Sequence, residues 1–148
     1  MVKKLIIFGT GQLAEEMTNY FEKDTSYKIE GFTIDEKFIT KKKFLSRPVV
    51  PFSKIKKKFS PKEFKFFVAV GYTDLNQLRF KKLVEAKKKG YKVASYVSSK
   101  ASLIGGQNVG ENCMILENTT IQTTAKIGNN VFIWSNNLIG HHVKIEDN

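Results

Sequence analysis

Two hydrophobic rhythms divide the chain. Up to about residue 98, short apolar runs alternate with stripes spaced by three and four. From Leu103 onward a single aliphatic residue returns at every sixth position. The first rhythm predicts alternating strands and helices. Leu5 to Phe8 is a short apolar run of strand type, broken by Gly9 and Gly11, and Leu13, Met17, Tyr20 and Phe21 then mark the stripe of an amphipathic helix starting at Gln12. YKIEGFTI (27–34) reads as a second strand that ends at Asp35 and Glu36. Residues 36–62 read as irregular, punctuated by Pro48, Pro51 and Pro61. EFKFFVAVGY reads as a buried strand ending at Gly71. Asp74 is placed to cap a helix whose stripe is Leu75, Leu78, Leu83 and Ala86 and whose stop is Gly90. YKVASYV is a further strand. Such alternation implies a parallel sheet covered by helices.

The second rhythm is stricter. Leu103, Val109, Ile115, Ile121, Ile127, Ile133, Ile139 and Ile145 are each six residues apart. Two places before each stand Ala101, Gln107, Cys113, Thr119, Ala125, Val131, Asn137 and Val143, mostly small. Residues two apart on a strand share a face, so both sets point inward, and the Gly/Asn-rich tetrapeptides between them turn corners. A self-similar period of this kind decides the fold ahead of local propensity. Three hexapeptides complete one triangular coil. Leu103, Ile121 and Ile139 then stack on one wall, Val109, Ile127 and Ile145 on the next, and Ile115 and Ile133 on the third. A β-sandwich would not keep this period. The fold class is therefore α/β plus β-helix.

Charge follows the same division. Residues 1–98 hold 22 Lys+Arg against 10 Asp+Glu, whereas residues 99–148 hold 3 against 4. The chemistry changes near Ser98–Lys100, which sets domains of 1–98 and 99–148. The lysine excess attracts phosphorylated ligands. Only Arg47 and Arg79 are arginine, and arginine is the usual reader of bases and bidentate gripper of phosphate. The lysine runs are therefore read as solvated surface, with no nucleic acid and no membrane among the expected partners. LIIF is far shorter than the ~7–15-residue core of a signal peptide, and the expected location is cytoplasmic. The single cysteine, Cys113, rules out an internal disulfide and reads as core.

Two segments carry candidate chemistry. Gly9-Thr10-Gly11-Gln12-Leu13-Ala14 matches G-x-G-x-x-G/A between a strand and a helix. The first glycine permits the tight turn, the second lets backbone approach a phosphate, and the helix N-terminus offers free N–H groups. Asp35 lies 21 residues after Ala14, at the next strand end, where a carboxylate can accept from a sugar hydroxyl or a base N–H. The same glycines also suit a turn needed for geometry alone, and NAD is a rival ligand. The second segment holds the only histidines, His141 and His142. Imidazole titrates near ~6.5 and can take a proton at neutral pH; at a β-helix corner it can equally be exposed turn chemistry.

GTGQLAEEM, VAVGYTDLNQLR, GYKVASYVSSKA and GENCMILENTTIQTTAKIGNNVFIWSNNLIGHHVKIED together resemble the bacterial sugar O-/N-acyltransferases of the sialic acid O-acetyltransferase type. The resemblance covers essentially the whole chain. It implies an N-terminal Rossmann-like nucleotide-sugar-binding domain, then a left-handed parallel β-helix, assembled as a homotrimer. It implies transfer of acetyl from acetyl-CoA, without a metal, to an amino or hydroxyl group of a UDP- or dTDP-linked sugar in cell-surface polysaccharide or glycan biosynthesis. Ile139-Gly-His141-His142-Val-Lys-Ile145-Glu-Asp147 matches the family's I-x-H-[DE]-x-x-I-G-[DE] segment, with His141 at the general-base position. His142 stands where an acid is usual, and Glu146 where glycine is frequent. Gly9, Gly11 and Asp35 match acceptor-binding positions, and Gly71 and Tyr72 fall at the next strand end. Relatives continue for several more coils, so the chain reads as the front part of a longer enzyme. The competing reading is a non-catalytic nucleotide-binding or trimerisation remnant.

Overall fold

The computed structural model describes residues 2–106 and 108–148, so the inward position expected at Gln107 lies outside the described residues. The chain divides into two compact units, Met1–Val93 and Ala94–Asn148.

In the first unit, strand β1 (Lys3–Phe8) is followed by helix α1 (Gln12–Asp24) and strand β2 (Tyr27–Ile34). Short strands β3 (Lys43–Phe44) and β4 (Arg47–Pro51), a single turn α2 (Ile55–Lys58), strand β5 (Phe64–Val68) and helix α3 (Gln77–Lys88) complete it. The sheet order is β3-β4-β2-β1-β5. All pairings are parallel except β3 with β4. β1 is an interior strand, between β2 and β5, and is covered on both faces, which is why its sequence is a continuous apolar run rather than an alternating one; Leu5, Ile6 and Ile7 are fully buried. On one face Ile6 and Phe8 join Phe52, Phe66, Leu83 and Tyr91. Elsewhere in the unit Phe21 of α1 meets Phe67 edge-on, ring centroids 5.1 Å apart.

Three expectations shift. Residues 36–62 are not wholly irregular: they hold β4, which adds to β2, and the β3–β4 hairpin. That hairpin turns through Leu45 and Ser46, both at positive φ, where the usual asparagine–glycine signature is missing. Asp74 does not cap α3. Asp74, Leu75 and Asn76 all take left-handed backbone, and Asn76 is the N-cap. The helix therefore starts later and turns a different face inward, burying Arg79, Lys82, Leu83 and Ala86 and leaving Leu75 and Leu78 exposed. Third, YKVASYV is split. Val93 bridges to Phe66, whereas Tyr96–Val97 pairs with Met114–Ile115 in the second unit.

The second unit is a parallel β-helix of two-residue strands: β6 (Tyr96–Val97), β7 (Ser102–Leu103), β8 (Met114–Ile115), β9 (Thr120–Ile121), β10 (Lys126–Ile127), β11 (Phe132–Ile133), β12 (Leu138–Ile139) and β13 (Lys144–Ile145). Leu103, Ile121 and Ile139 are in register on one wall. Val109, Ile127 and Ile145 share the second. Ile115 and Ile133 share the third and are joined there by Val97. Cys113, Ile115, Ile121, Ala125, Ile127, Val131 and Ile133 form one core cluster. The corners repeat with the same period. Gly106, Asn112, Asn118, Thr124, Asn130, Asn136 and His142 all have positive φ, a region that glycine and asparagine tolerate best. Asn112 Nδ2 donates to Asn130 Oδ1 at 2.8 Å, and Asn130 Nδ2 to Asn148 Oδ1 at 2.8 Å. This amide ladder gives buried side chains the partners they need.

Candidate functional site

In an open parallel sheet, ligands bind outside the carboxyl ends of the strands, where the strand order reverses. Here the chain moves from β1 to β2 on one side and later crosses to β5 on the other. At that end lies a cavity of about 430 Å³, and Gly9, Gly11, Asp35 and Gly71 all line it. Phe8, Ile34, Phe38 and Leu78 add apolar wall. Tyr72 is not among the lining residues and is 66% exposed.

The two glycines of the turn differ. Gly9 sits at φ +129, its N–H donates to Thr33 O at 3.0 Å, and a Cβ there would be driven into the carbonyl oxygen of Ala69. Gly11 has φ −100 and is the N-cap of α1, with no side-chain cap, and a Cβ on it would meet nothing within 4 Å. Gly71 is equally open. Gly9 is thus required by the fold. Gly11 leaves space at the N-terminus of α1, which has no side-chain cap, the setting in which a helix N-terminus receives an anion, and Gly71 leaves space in the wall of the same cavity.

Asp35 is held rather than free. Its Oδ1 accepts from Lys82 Nζ at 2.7 Å, and the same ammonium donates to Glu85 Oε2 at 3.1 Å. Lys82 is 5% exposed. Burial alone would lower its pKa, but the hydrogen bonds and charges of Asp35 and Glu85 outweigh that and raise it. Lys82 is the residue of this site that the sequence pattern does not single out. The signal was its spacing, three residues from both Arg79 and Glu85, which puts it on the face the helix buries. Both arginines are engaged within the fold. Arg47 Nη2 contacts both carboxylate oxygens of Glu22 at 2.8 Å, and Arg79 is fully buried, with Nε 3.5 Å from Val68 O.

In the β-helix unit, His141 and His142 occupy a corner. Their Nδ1 atoms are 3.0 Å apart and the rings meet edge-on at 88°. The preceding coil holds their backbone: His141 N–H donates to Gln122 Oε1 at 2.9 Å, and His142 N–H to Thr124 Oγ1 at 3.0 Å. Gln122 and Thr124 went unnoticed in the sequence, although the 18-residue coil length aligns Thr124 with His142. A 3.0 Å contact between two imidazole Nδ1 atoms needs one protonated and one bare nitrogen. When His141 supplies the proton, its own Nε2 is bare and free to accept one; when His142 supplies it, Nε2 of His141 carries the hydrogen. Asp147, the last acid of the matched segment, accepts from Asn129 N–H at 2.7 Å and from Asn129 Nδ2. Those bonds lower its pKa, and they anchor the next corner. Among the described residues no group of three or more His, Cys, Asp or Glu could hold a metal ion, and no helix is long and apolar enough to cross a membrane.

The hexapeptide coil defines a class of architecture, and comparison with known proteins gives the same one. Residues 108–141 match the family model described as bacterial transferase hexapeptide (six repeats). No curated protein matches the chain in sequence. In three dimensions the chain is similar to the acetyltransferase domain of PglB from Neisseria gonorrhoeae, with TM-score 0.78 and 17% identity over 98% of this chain and 68% of that one. The same domain in complex with acetyl coenzyme A gives 0.79 and 17%, over 99% and 68%. A histidine-to-asparagine variant of perosamine N-acetyltransferase from Caulobacter crescentus, in complex with CoA and GDP-perosamine, gives 0.79 and 17%, over 99% and 67%. The fold of the second unit is accordingly a left-handed parallel β-helix of hexapeptide repeats.

Proposed function

We propose that this chain is an acetyl-CoA-dependent sugar acyltransferase that moves acetyl to an amino or hydroxyl group of a nucleotide-linked sugar, in cell-surface polysaccharide or glycan biosynthesis. The observation that carries the proposal is the His141–His142 pair on a hexapeptide corner. The setting adds support: fold neighbours hold acetyl coenzyme A, CoA and GDP-perosamine.

In this reading the first part of the chain is a Rossmann-like domain that binds the nucleotide of the acceptor. Gly11 and Gly71 admit its phosphates and Asp35 accepts a hydrogen bond from base or ribose. Tyr72, exposed beside Gly71, covers the ligand once it is bound. The second part performs the transfer. As the acceptor's nitrogen or oxygen attacks the thioester carbonyl, it must lose a proton, and Nε2 of His141 takes it. The Nδ1–H of His141 donates to Nδ1 of His142, so the imidazolium that forms keeps a partner. His142 thereby replaces the carboxylate usual at its position. The carbonyl oxygen gains negative charge, which an N–H donor must stabilise. The C–S bond then breaks and the CoA thiolate leaves, taking the proton from Nε2 of His141 and so restoring the base. The reading includes a homotrimer. The alternative, a nucleotide-binding or trimerisation remnant without transfer, predicts ligand binding with no use of acetyl-CoA.

Thermal stabilisation by UDP- and dTDP-sugars, NAD and acetyl-CoA, measured in parallel, tests the assignment of the cavity. The expected result is stabilisation by the nucleotide sugars that disappears in Asp35→Ala. Stabilisation by NAD alone would overturn it.

A further inference from the structure

Lys82 is a lysine with no donor to spare. Its ammonium has three hydrogens, and the fold supplies a partner on every side: Asp35 Oδ1 at 2.7 Å, Glu85 Oε2 at 3.1 Å, and the faces of Phe8 and Phe52 with the nitrogen 5.3 Å from each ring centroid. A lysine that gripped phosphate would point its hydrogens at the cavity as a free point charge. This one points them inward, is 5% exposed and does not line the cavity. Of the two carboxylates it binds, only that of Asp35 lines the cavity.

A carboxylate is a two-oxygen acceptor. A guanine edge, with a ring N–H and an amino group side by side, is matched by both oxygens at once. Uracil and thymine present one ring N–H between two carbonyls and need only one oxygen. Oδ1 accepts from Lys82, so Oδ2 is the oxygen of Asp35 that this bond leaves for a ligand in the cavity the residue lines. A second approach to Oδ1 would bring the guanine amino group up against an ammonium. Buried groups that lose a partner or meet a like charge discriminate strongly.

We infer that Lys82, braced by Glu85, is a positioning residue that fixes Asp35 as a one-oxygen acceptor and so selects a uracil or thymine nucleotide over a guanine nucleotide. The inference rests on the reading of this cavity as a nucleotide site, and it departs from the neighbour that holds GDP-perosamine.

Calorimetric titration of the native chain with UDP, GDP and N3-methyl-UDP tests it. UDP binds at least tenfold more tightly than GDP, and methylation of N3, which removes the single donor, costs at least tenfold. Lys82→Met frees both oxygens and brings UDP and GDP within threefold of each other. Glu85→Gln, which keeps the Lys82–Asp35 bond but loosens its brace, narrows the ratio partway. GDP binding as tightly as UDP, or equal binding of N3-methyl-UDP, overturns the inference while leaving the cavity a nucleotide site. A folded Lys82→Met chain with unchanged selectivity removes Lys82 from the account. If neither nucleotide binds, the nucleotide reading falls as well. Should Lys82→Met fail to fold, the native titrations and Glu85→Gln still decide.

Discussion

Replacing Gly9 and Gly11 separately by alanine tests whether the two glycines of the turn do different jobs. At Gly9 the backbone lies at φ +129 and the added methyl meets the Ala69 carbonyl oxygen, which is main chain and cannot swing aside. Holding an L-residue in such a region costs roughly 1–3 kcal/mol, and forcing a methyl into a packed site costs about 1–3 kcal/mol more. The sum, roughly 2–6 kcal/mol, is a large share of the ~5–15 kcal/mol that stabilises a typical domain. At about 4–8 °C per kcal/mol for a domain of this size, Gly9→Ala lowers Tm by at least ~8 °C. At Gly11 the backbone is extended and the space is open. Loss of backbone freedom in the unfolded chain offsets the poorer N-cap, and stability stays within ~0.5 kcal/mol. The methyl now stands in the cavity that Gly11 lines, and nucleotide affinity falls at least tenfold, about 1.4 kcal/mol. Thermal unfolding followed by circular dichroism reads the first effect and titration calorimetry the second. Equal Tm for the two variants, or a Gly11→Ala chain that binds as well as the native one, would refute the division of roles.

Ile121→Ala removes a core residue with one neighbour above and one below on the same wall, and urea unfolding should show a loss of about 2–5 kcal/mol. Burial pushes the Tyr91 phenol up to about 12, with its hydroxyl donating to Phe59 O. Its neutral form is therefore favoured by folding: the stabilisation is complete below the unfolded pKa of ~10 and declines as pH rises toward 12, by about 2–3 kcal/mol in all. The difference in stability between the native chain and Tyr91→Phe should shrink over that window, and a difference independent of pH would contradict it. Asp147 has the opposite sign: its lowered pKa gives stabilisation that is present above the ordinary carboxylate range and lost on acidification. Because Asp147 is exposed the effect is small, and Asp147→Asn should flatten the acid limb of the Tm–pH profile without moving the neutral plateau.

The β-helix was legible because burial there imposes a six-residue frame that no neighbouring element can override. Every wall assignment from Leu103 to Ile145 follows from it. The frame in fact extends one step further back, to Val97, which pairs with Ile115; inside YKVASYV that residue looked like part of an ordinary strand. The corners were legible in outline as Gly/Asn-rich, but their left-handed backbone every sixth residue explains more. His142 occupies a position that asparagine fills at other corners, so its place satisfies the coil before any chemistry is considered. In the first unit Gly9 was readable because its backbone, at φ +129, admits few residue types, and Asp35 because it falls at the end of β2. The spacing of Lys82 puts it on one helix face with Arg79 and Glu85, but its main partner is a carboxylate 47 residues away, which no local pattern announces. The β3–β4 hairpin was hidden for a similar reason: its left-handed turn is built from Leu45 and Ser46, whose conformation the surrounding strands impose rather than their own propensity.

The central claim is acetyl transfer through His141, and the most direct measurement is product formation from acetyl-CoA and a UDP- or dTDP-linked amino sugar, followed by mass spectrometry with His141→Ala and His142→Ala alongside the native chain. The account predicts acetylated sugar and free CoA in equal amounts, a rate at least ~100-fold lower in His141→Ala, and a smaller loss in His142→Ala, where the base remains but its partner is gone. Turnover that survives unchanged in His141→Ala would contradict it.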